Sequence, residues 1–171
     1  VNAVLCVAGN VTTEEVKVMA EKWFGDIPTG EKTDRFLPLE PLQTEARTET
    51  ITANVPLDAV YKAWHIPARK EAGYHDCDLI TEIMGNGFAS RLFQRLVKEE
   101  QLFSHISCYH TGSLDPGLIV VEGKVVEGKL IEAANEAIER EMNLLLENGV
   151  TEQELEKAKN KIESMIEFED M

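Results

Sequence analysis

The chain has 171 residues, with 17 Lys and Arg against 31 Asp and Glu and a formal net charge of −14. That is one domain's length, enough to bury roughly 70% of the unfolded surface without a metal or a disulfide. Its charge repels phosphate backbones and anionic membrane surfaces, which argues against nucleic acid and membranes as partners, and no stretch approaches the run of about 18 apolar residues that reads as a membrane-spanning helix.

In chain order, Val4 to Ala8 reads as a short apolar strand, with no basic flank or cleavage site to make it a leader. Thr12 followed by Glu15, with Val11 and Val16 on either side, forms a capping box with a hydrophobic staple and opens a helix. Residues 25–45, punctuated by Gly25, Pro28, Gly30, Pro38 and Pro41, read as a loop around the outside of the domain. Arg47 to Asn54 and Ala59 to Ile66 read as two strands in an antiparallel pair, the second rich in Val60, Tyr61, Trp64 and Ile66. Tyr74 to Met84 and Phe88 to Glu100 read as helices, Ile106 to Thr111 and Leu118 to Val126 as strands, and Gly128 to Glu147 as a long amphipathic helix. A second capping box, Thr151 with Glu154, begins the last helix, which runs to Phe168. Strands in antiparallel pairs with helices on one face predict an α+β sandwich of one sheet and one helical layer. Val1 opens directly into the first strand and Met171 falls within a helical run, so the expectation is a single domain, residues 1–171, excised from a longer protein.

Few residues offer chemistry. Cys6, Cys77 and Cys108 cannot all pair and none has CxxC spacing. They read as buried free thiols in a reducing compartment, which favours the cytoplasm and leaves the periplasm open. None of the histidines, at 65, 75, 105 and 110, sits in an HxxEH or HxxxH pattern that would set two imidazoles on one helix face for zinc. His105 and His110 fall on opposite faces of a strand, and Cys108 lies across from His105. In the run His75-Asp76-Cys77-Asp78 only His75 and Asp78 meet on a helix, too few ligands for a structural zinc site. Gly85-Asn86-Gly87 lacks the third glycine of a dinucleotide loop, which Ser90 replaces, and no GK[ST] follows. No serine has a GxSxG setting. Arg91 reads as a structural residue that bonds carbonyls or a carboxylate near its helix start.

The segment Gly85 to Ser104, GNGFASRLFQRLVKEEQLFS, runs from a Gly-Asn-Gly turn through Ser-Arg-Leu into an amphipathic helix. It resembles the Ser-Arg-Leu helix of the insulinase/pitrilysin-type zinc metallopeptidases, which include the mitochondrial processing peptidase. Ala8-Gly9-Asn10, Trp23 to Pro28 and Gly149 to Leu155 agree with that family in order, so the resemblance covers nearly the whole chain. The part it resembles is the second, non-metal-binding domain, with Gly85, Gly87, Ser90, Arg91 and Leu92 as the structural motif.

The resemblance implies a two-layer α+β sandwich within a clamshell of two halves that enclose a peptide. Zinc would be held by HxxEH and a later Glu in a preceding N-terminal domain and would activate water there. In the opposite half an Arg and a Tyr after Ser-Arg-Leu bind substrate and steady the oxyanion; Val97 and Ser104 stand at those positions here and cannot do that work. The expected function is therefore a non-catalytic structural and chamber domain of a zinc-dependent endopeptidase, inactive in isolation. It has no catalytic, metal-binding or assigned substrate-binding residue of its own, and its partners are its N-terminal zinc domain, an opposite half or subunit, and a peptide. The alternatives are an assembly subunit of the same superfamily without proteolytic activity and a free-standing α+β binding module.

Overall fold

The computed structural model describes residues 3–31, 38, 40–112 and 114–169. Its chain divides into two compact units, Val1–Thr50 and Ile51–Met171.

In the first unit the capping box produces the helix it predicts. Helix α1 spans Thr13–Phe24. The Glu15 N–H donates to Thr12 Oγ1 at 3.3 Å, while the Thr12 N–H donates back to the Glu15 carboxylate at 2.8 Å. Two of the four donors that a helix start leaves unpaired are thereby satisfied. Residues Val4 to Ala8, expected as a strand, form none and lie exposed. An extended apolar run becomes a strand only against a partner ladder, and among the described residues this unit contains no strand to provide one. The loop expected over 25–45 is free of helix and strand at its described residues; positions 32–37 and 39 lie outside them.

The second unit is built on a three-stranded antiparallel sheet in the order β1-β3-β2, where β1 is Ala59–Ile66, β2 is Phe103–Thr111 and β3 is Gly117–Val125. The pairing expected between Arg47 to Asn54 and β1 does not occur. Residues 47–54 form no strand, and β1 pairs along its whole length with β3, from Ala59 opposite Lys124 to Ile66 opposite Gly117. The apolar alternation of β1 is satisfied by the longer central strand, whose Ile119, Val121 and Val125 point to the same side as Val60 and Ile66.

Helices cover that side. Helix α2 (Tyr74–Gly85) packs on β2, helix α3 (Ile131–Asn148) on β1 and β3, and helix α4 (Glu152–Glu169) on α2. The side chains with almost no exposure, Met84, Leu92, Leu96, Phe103, Val121, Val125 and Ile138, come from α2, the Ser-Arg-Leu segment, β2, β3 and α3, and form one core between sheet and helices. The sheet's other side presents Tyr61, Ala63, His65, His105, Tyr109 and Lys124 to the surface. The fold is α+β, as the periodicity predicts.

The helix expected over Phe88 to Glu100 differs in winding. After a single α-type turn at Arg91 and Leu92, residues Phe93–Glu99 form a π-helix. The Glu100 N–H reaches the Arg95 carbonyl at 2.9 Å, five residues back rather than four. Gln101 then takes a left-handed φ of +52°, a conformation that costs a non-glycine residue about 1–3 kcal/mol and persists only where its surroundings over-determine it. Leu96 and Leu102 on either side are drawn into or against the core, and the Leu102 N–H donates to the Leu96 carbonyl at 2.9 Å.

Gly85, where α2 ends, sits so close to β2 that an added Cβ would lie 2.1 Å from the Cys108 nitrogen and 2.6 Å from its Cα. Gly85→Ala must therefore push α2 off the sheet. It is expected to destabilise the domain by about 1–3 kcal/mol, the usual range for overpacking, measured as a fall in the urea midpoint with an unchanged slope.

Candidate functional site

The Gly-Asn-Gly to Ser-Arg-Leu segment joins α2 to the π-helix, and each motif residue has a definite post. Gly85 allows the approach to β2 just described. Gly87 turns the chain at φ +88°, where a Cβ would be strained. Ser90 is buried, and its Oγ donates to the Gly87 carbonyl at 2.7 Å, closing the turn. Leu92 is fully buried in the core.

Arg91 reaches across to the far end of the domain. Its Nε and Nη2 donate to the two oxygens of Glu154 at 2.6 and 2.7 Å, and Nη2 also donates to the Gly149 carbonyl at 3.0 Å. A planar fork on a carboxylate is the strongest common geometry for this pair. Glu154 is the acid of the second capping box: Oε2 accepts from the Thr151 N–H and Oγ–H, each at 2.8 Å, and the Glu154 N–H donates to Thr151 Oγ1 at 3.3 Å. One carboxylate thus starts α4, and one guanidinium ties that start and the α3–α4 turn to the Ser-Arg-Leu segment. The Arg91 hydrogen bonds, helped by those from Thr151, hold the Glu154 carboxyl at about 2, against an ordinary 4.5.

Val97 packs against the core from the π-helix, and Ser104 is exposed near the start of β2, its Oγ donating to the Lys124 carbonyl at 3.2 Å. They are not brought together into a substrate clamp. His105 and His110 face opposite sides of β2, across from Lys124 and Ile119. His75 Nδ1 lies 3.2 Å from Asp78 Oδ2, and Asp78 Oδ1 also meets His110 Nε2 at 2.6 Å, with Tyr74 edge-on to both rings. That contact between α2 and β2 has no local sequence signal, because its partners are 32 residues apart. It joins two imidazoles through one carboxylate; among the described residues no three His, Cys, Asp or Glu side chains gather as metal ligands. Cys108 is buried, which pushes its thiol up to about 12, and Cys77 is shifted upward by its burial as well. Neither is an activated thiolate.

The two-layer sandwich and the helix latched through Arg91 and Glu154 define an α+β domain of one antiparallel sheet and one helical layer. The family model described as "Peptidase M16 inactive domain" matches residues 1–162, and the chain belongs to that family. It is 26% identical over 166 residues to the uncharacterized zinc protease YmxG of Bacillus subtilis, covering 95% of this chain and 39% of that protein. It is equally 26% identical over 165 residues to the zinc protease PqqE of Helicobacter pylori, covering 92% of this chain and 36% of that protein. The chain therefore spans about two fifths of the length of these relatives. In fold it is similar to a protease from Helicobacter pylori, with a TM-score of 0.80 and 23% identity over 91% of this chain and 38% of that one. It is also similar to a peptidase M16 inactive domain from Pseudomonas fluorescens, with a TM-score of 0.55 and 23% identity over 61% of this chain and 25% of that one.

Two measurements follow from the side-chain environments. Glu154 has a folded-state pKa below its ordinary value, so it contributes stability that is complete above pH 4.5 and is lost as pH falls through about 2. In Arg91→Gln only the Thr151 bonds remain to hold the carboxylate. Urea unfolding free energies from neutral pH downward are expected to show a smaller acid loss in that window for the variant than for the parent. Thiol titration of the native chain is expected to modify Cys6, which is exposed, rapidly, and Cys77 and Cys108 only on unfolding.

Proposed function

We propose that this chain is the non-catalytic scaffold and chamber-wall domain of a zinc-dependent endopeptidase acting on peptides or unfolded segments. The observation that carries the reading is where the Ser-Arg-Leu segment commits its side chains. Arg91 is consumed by Glu154 and Gly149, Ser90 by Gly87, and Leu92 by the core. Val97 has no donor, and Ser104 bonds the neighbouring strand. None of these five side chains is left to hold an oxyanion, and Ser90, Arg91 and Leu92 hold the domain together.

Zinc, if the parent carries it, supplies a Lewis acid and an activated water. In this reading that ion belongs to a preceding N-terminal domain; among the described residues of this chain no three His, Cys, Asp or Glu side chains gather as metal ligands. The natural partners are that domain, an opposite half or subunit, and the peptide. The sheet face bearing Tyr61, Ala63 and Tyr109 offers a surface of mixed aromatic and polar character for lining a chamber. Three cysteines that cannot all pair favour the cytoplasm, with the periplasm as the alternative.

The purified 171-residue chain is expected to bind no stoichiometric zinc by metal analysis after dialysis and to cleave no unfolded peptide. Chelator-sensitive turnover by the pure chain overturns the assignment. Reading the native gene upstream of Val1 separates the alternatives: HxxEH with a later Glu supports the peptidase, and their absence supports an assembly subunit or a separate binding module.

A further inference from the structure

Beside the motif, the end of α2, the Gly-Asn-Gly turn and one side of α4 enclose a cavity of about 280 Å³. It lies near the small end of the range for ligand pockets, roughly 300–1,000 Å³. Its charges are unequal in availability. The half-buried Glu82 is neutralised by Lys161 and takes a hydrogen bond from Asn86 Nδ2 at 2.5 Å. Glu154 is neutralised by the Arg91 fork. Lys157, one turn along α4 from Glu154, has no ion-pair or hydrogen-bond partner among the described residues. Both acids of the lining are therefore already matched, and one lysine ammonium remains uncommitted. This happens in a chain of net charge −14, whose mean field opposes anion binding.

The same lining is apolar in part. Phe88 is 78% exposed at the tip of the turn, held edge-on by Phe93 at a centroid distance of 5.0 Å, and the buried Ala158 lies on the α4 side. A large aromatic ring left in water beside a cavity, with an unmatched cation in the same lining, is complementary to a ligand with an apolar group next to a negative one.

We propose that this cavity is a binding site for an organic carboxylate bearing an apolar side group, with Lys157 receiving the carboxylate and Phe88 covering the apolar part. The chemistry has two peptide sources, a free C-terminal carboxylate after an apolar residue and an acidic side chain beside one. That a peptide is the source rests on the function proposed above; the existence of the site does not.

The test uses the purified 171-residue chain with isotope-labelled amides. The first probes are N-acetyl-leucine and its uncharged amide, titrated into the millimolar range. N-acetyl-leucine is expected to shift the amides of Gly87, Phe88 and residues around Lys157, while the uncharged amide does not. Lys157→Gln is expected to weaken binding about tenfold, the equivalent of one charge-assisted hydrogen bond. Phe88→Ala is expected to weaken it independently. Both positions are exposed, and unchanged spectra elsewhere show that the variants fold. A peptide ending in a free leucine carboxylate, and a C-terminally amidated peptide with an internal Leu-Asp, then separate the two sources; binding of either supports the site and names the source. No shift with any carboxylate, equal binding of the uncharged amide, or binding that survives Lys157→Gln overturns the proposal. A missing zinc domain upstream leaves this result untouched, so failure of the site and failure of the peptidase reading are read separately.

Discussion

The carboxylate of Glu154 performs two tasks with one pair of oxygens: it caps α4 through Thr151, and it receives both arms of the Arg91 fork. Without it the N-terminus of α4 would expose unpaired donors, and the fork would be a half-buried cation with no anion. Much of the helical layer depends on this point. Helix α4 packs on α2, α2 packs on β2, and the segment carrying Arg91 delivers Leu92 and Leu96 to the core. Because the three parts share one ionic node, their relative positions are set by side-chain geometry as well as by apolar contact, which alone tolerates sliding.

The π-helix has its place in the same arrangement. Its wider winding follows directly on the turn anchored by Arg91, and it ends in the left-handed Gln101 that feeds Phe103 into β2. Phe103 fills space beneath Gly123 of β3, where an added Cβ would lie 2.5 Å from the ring. Local backbone strain between Glu100 and Leu102 is thus offset by burial of Leu96 and Phe103, both nearly inaccessible to solvent. The family's shared segment works here as a structural splice between helix layer and sheet.

What could be read from residues alone followed the range of the interactions. Both capping boxes are closed within four residues, and both are present where Thr12–Glu15 and Thr151–Glu154 predict them. Strand β1 matches Ala59 to Ile66 because its alternation has a buried face to satisfy. Val4 to Ala8 and Arg47 to Asn54 carry strand-like composition without a ladder in the structure, and composition does not supply a partner. The π winding was hidden because an apolar pair four residues apart, such as Leu92 and Leu96, falls near one face in either winding. Arg91 was legible as a structural residue, but its carboxylate, 63 positions away, was not. The setting of Lys157 was illegible for the same reason, since the ion pairs that match its neighbouring acids, Glu82 with Lys161 and Glu154 with Arg91, span 79 and 63 positions.

Two of the tight glycines, Gly85 and Gly123, differ in evolutionary freedom. At Gly123 the obstacle to a larger residue is the ring of Phe103, a side chain, so a smaller residue at 103 could make room and the two positions could drift as a pair. At Gly85 the nearest obstacle is the main-chain nitrogen of residue 108, which every amino acid brings with it. No exchange at position 108 opens that space, and compensation would have to move a helix. Of the two, the glycine of the Gly-Asn-Gly turn is the one that a homologous sequence can replace only by changing how α2 meets the sheet.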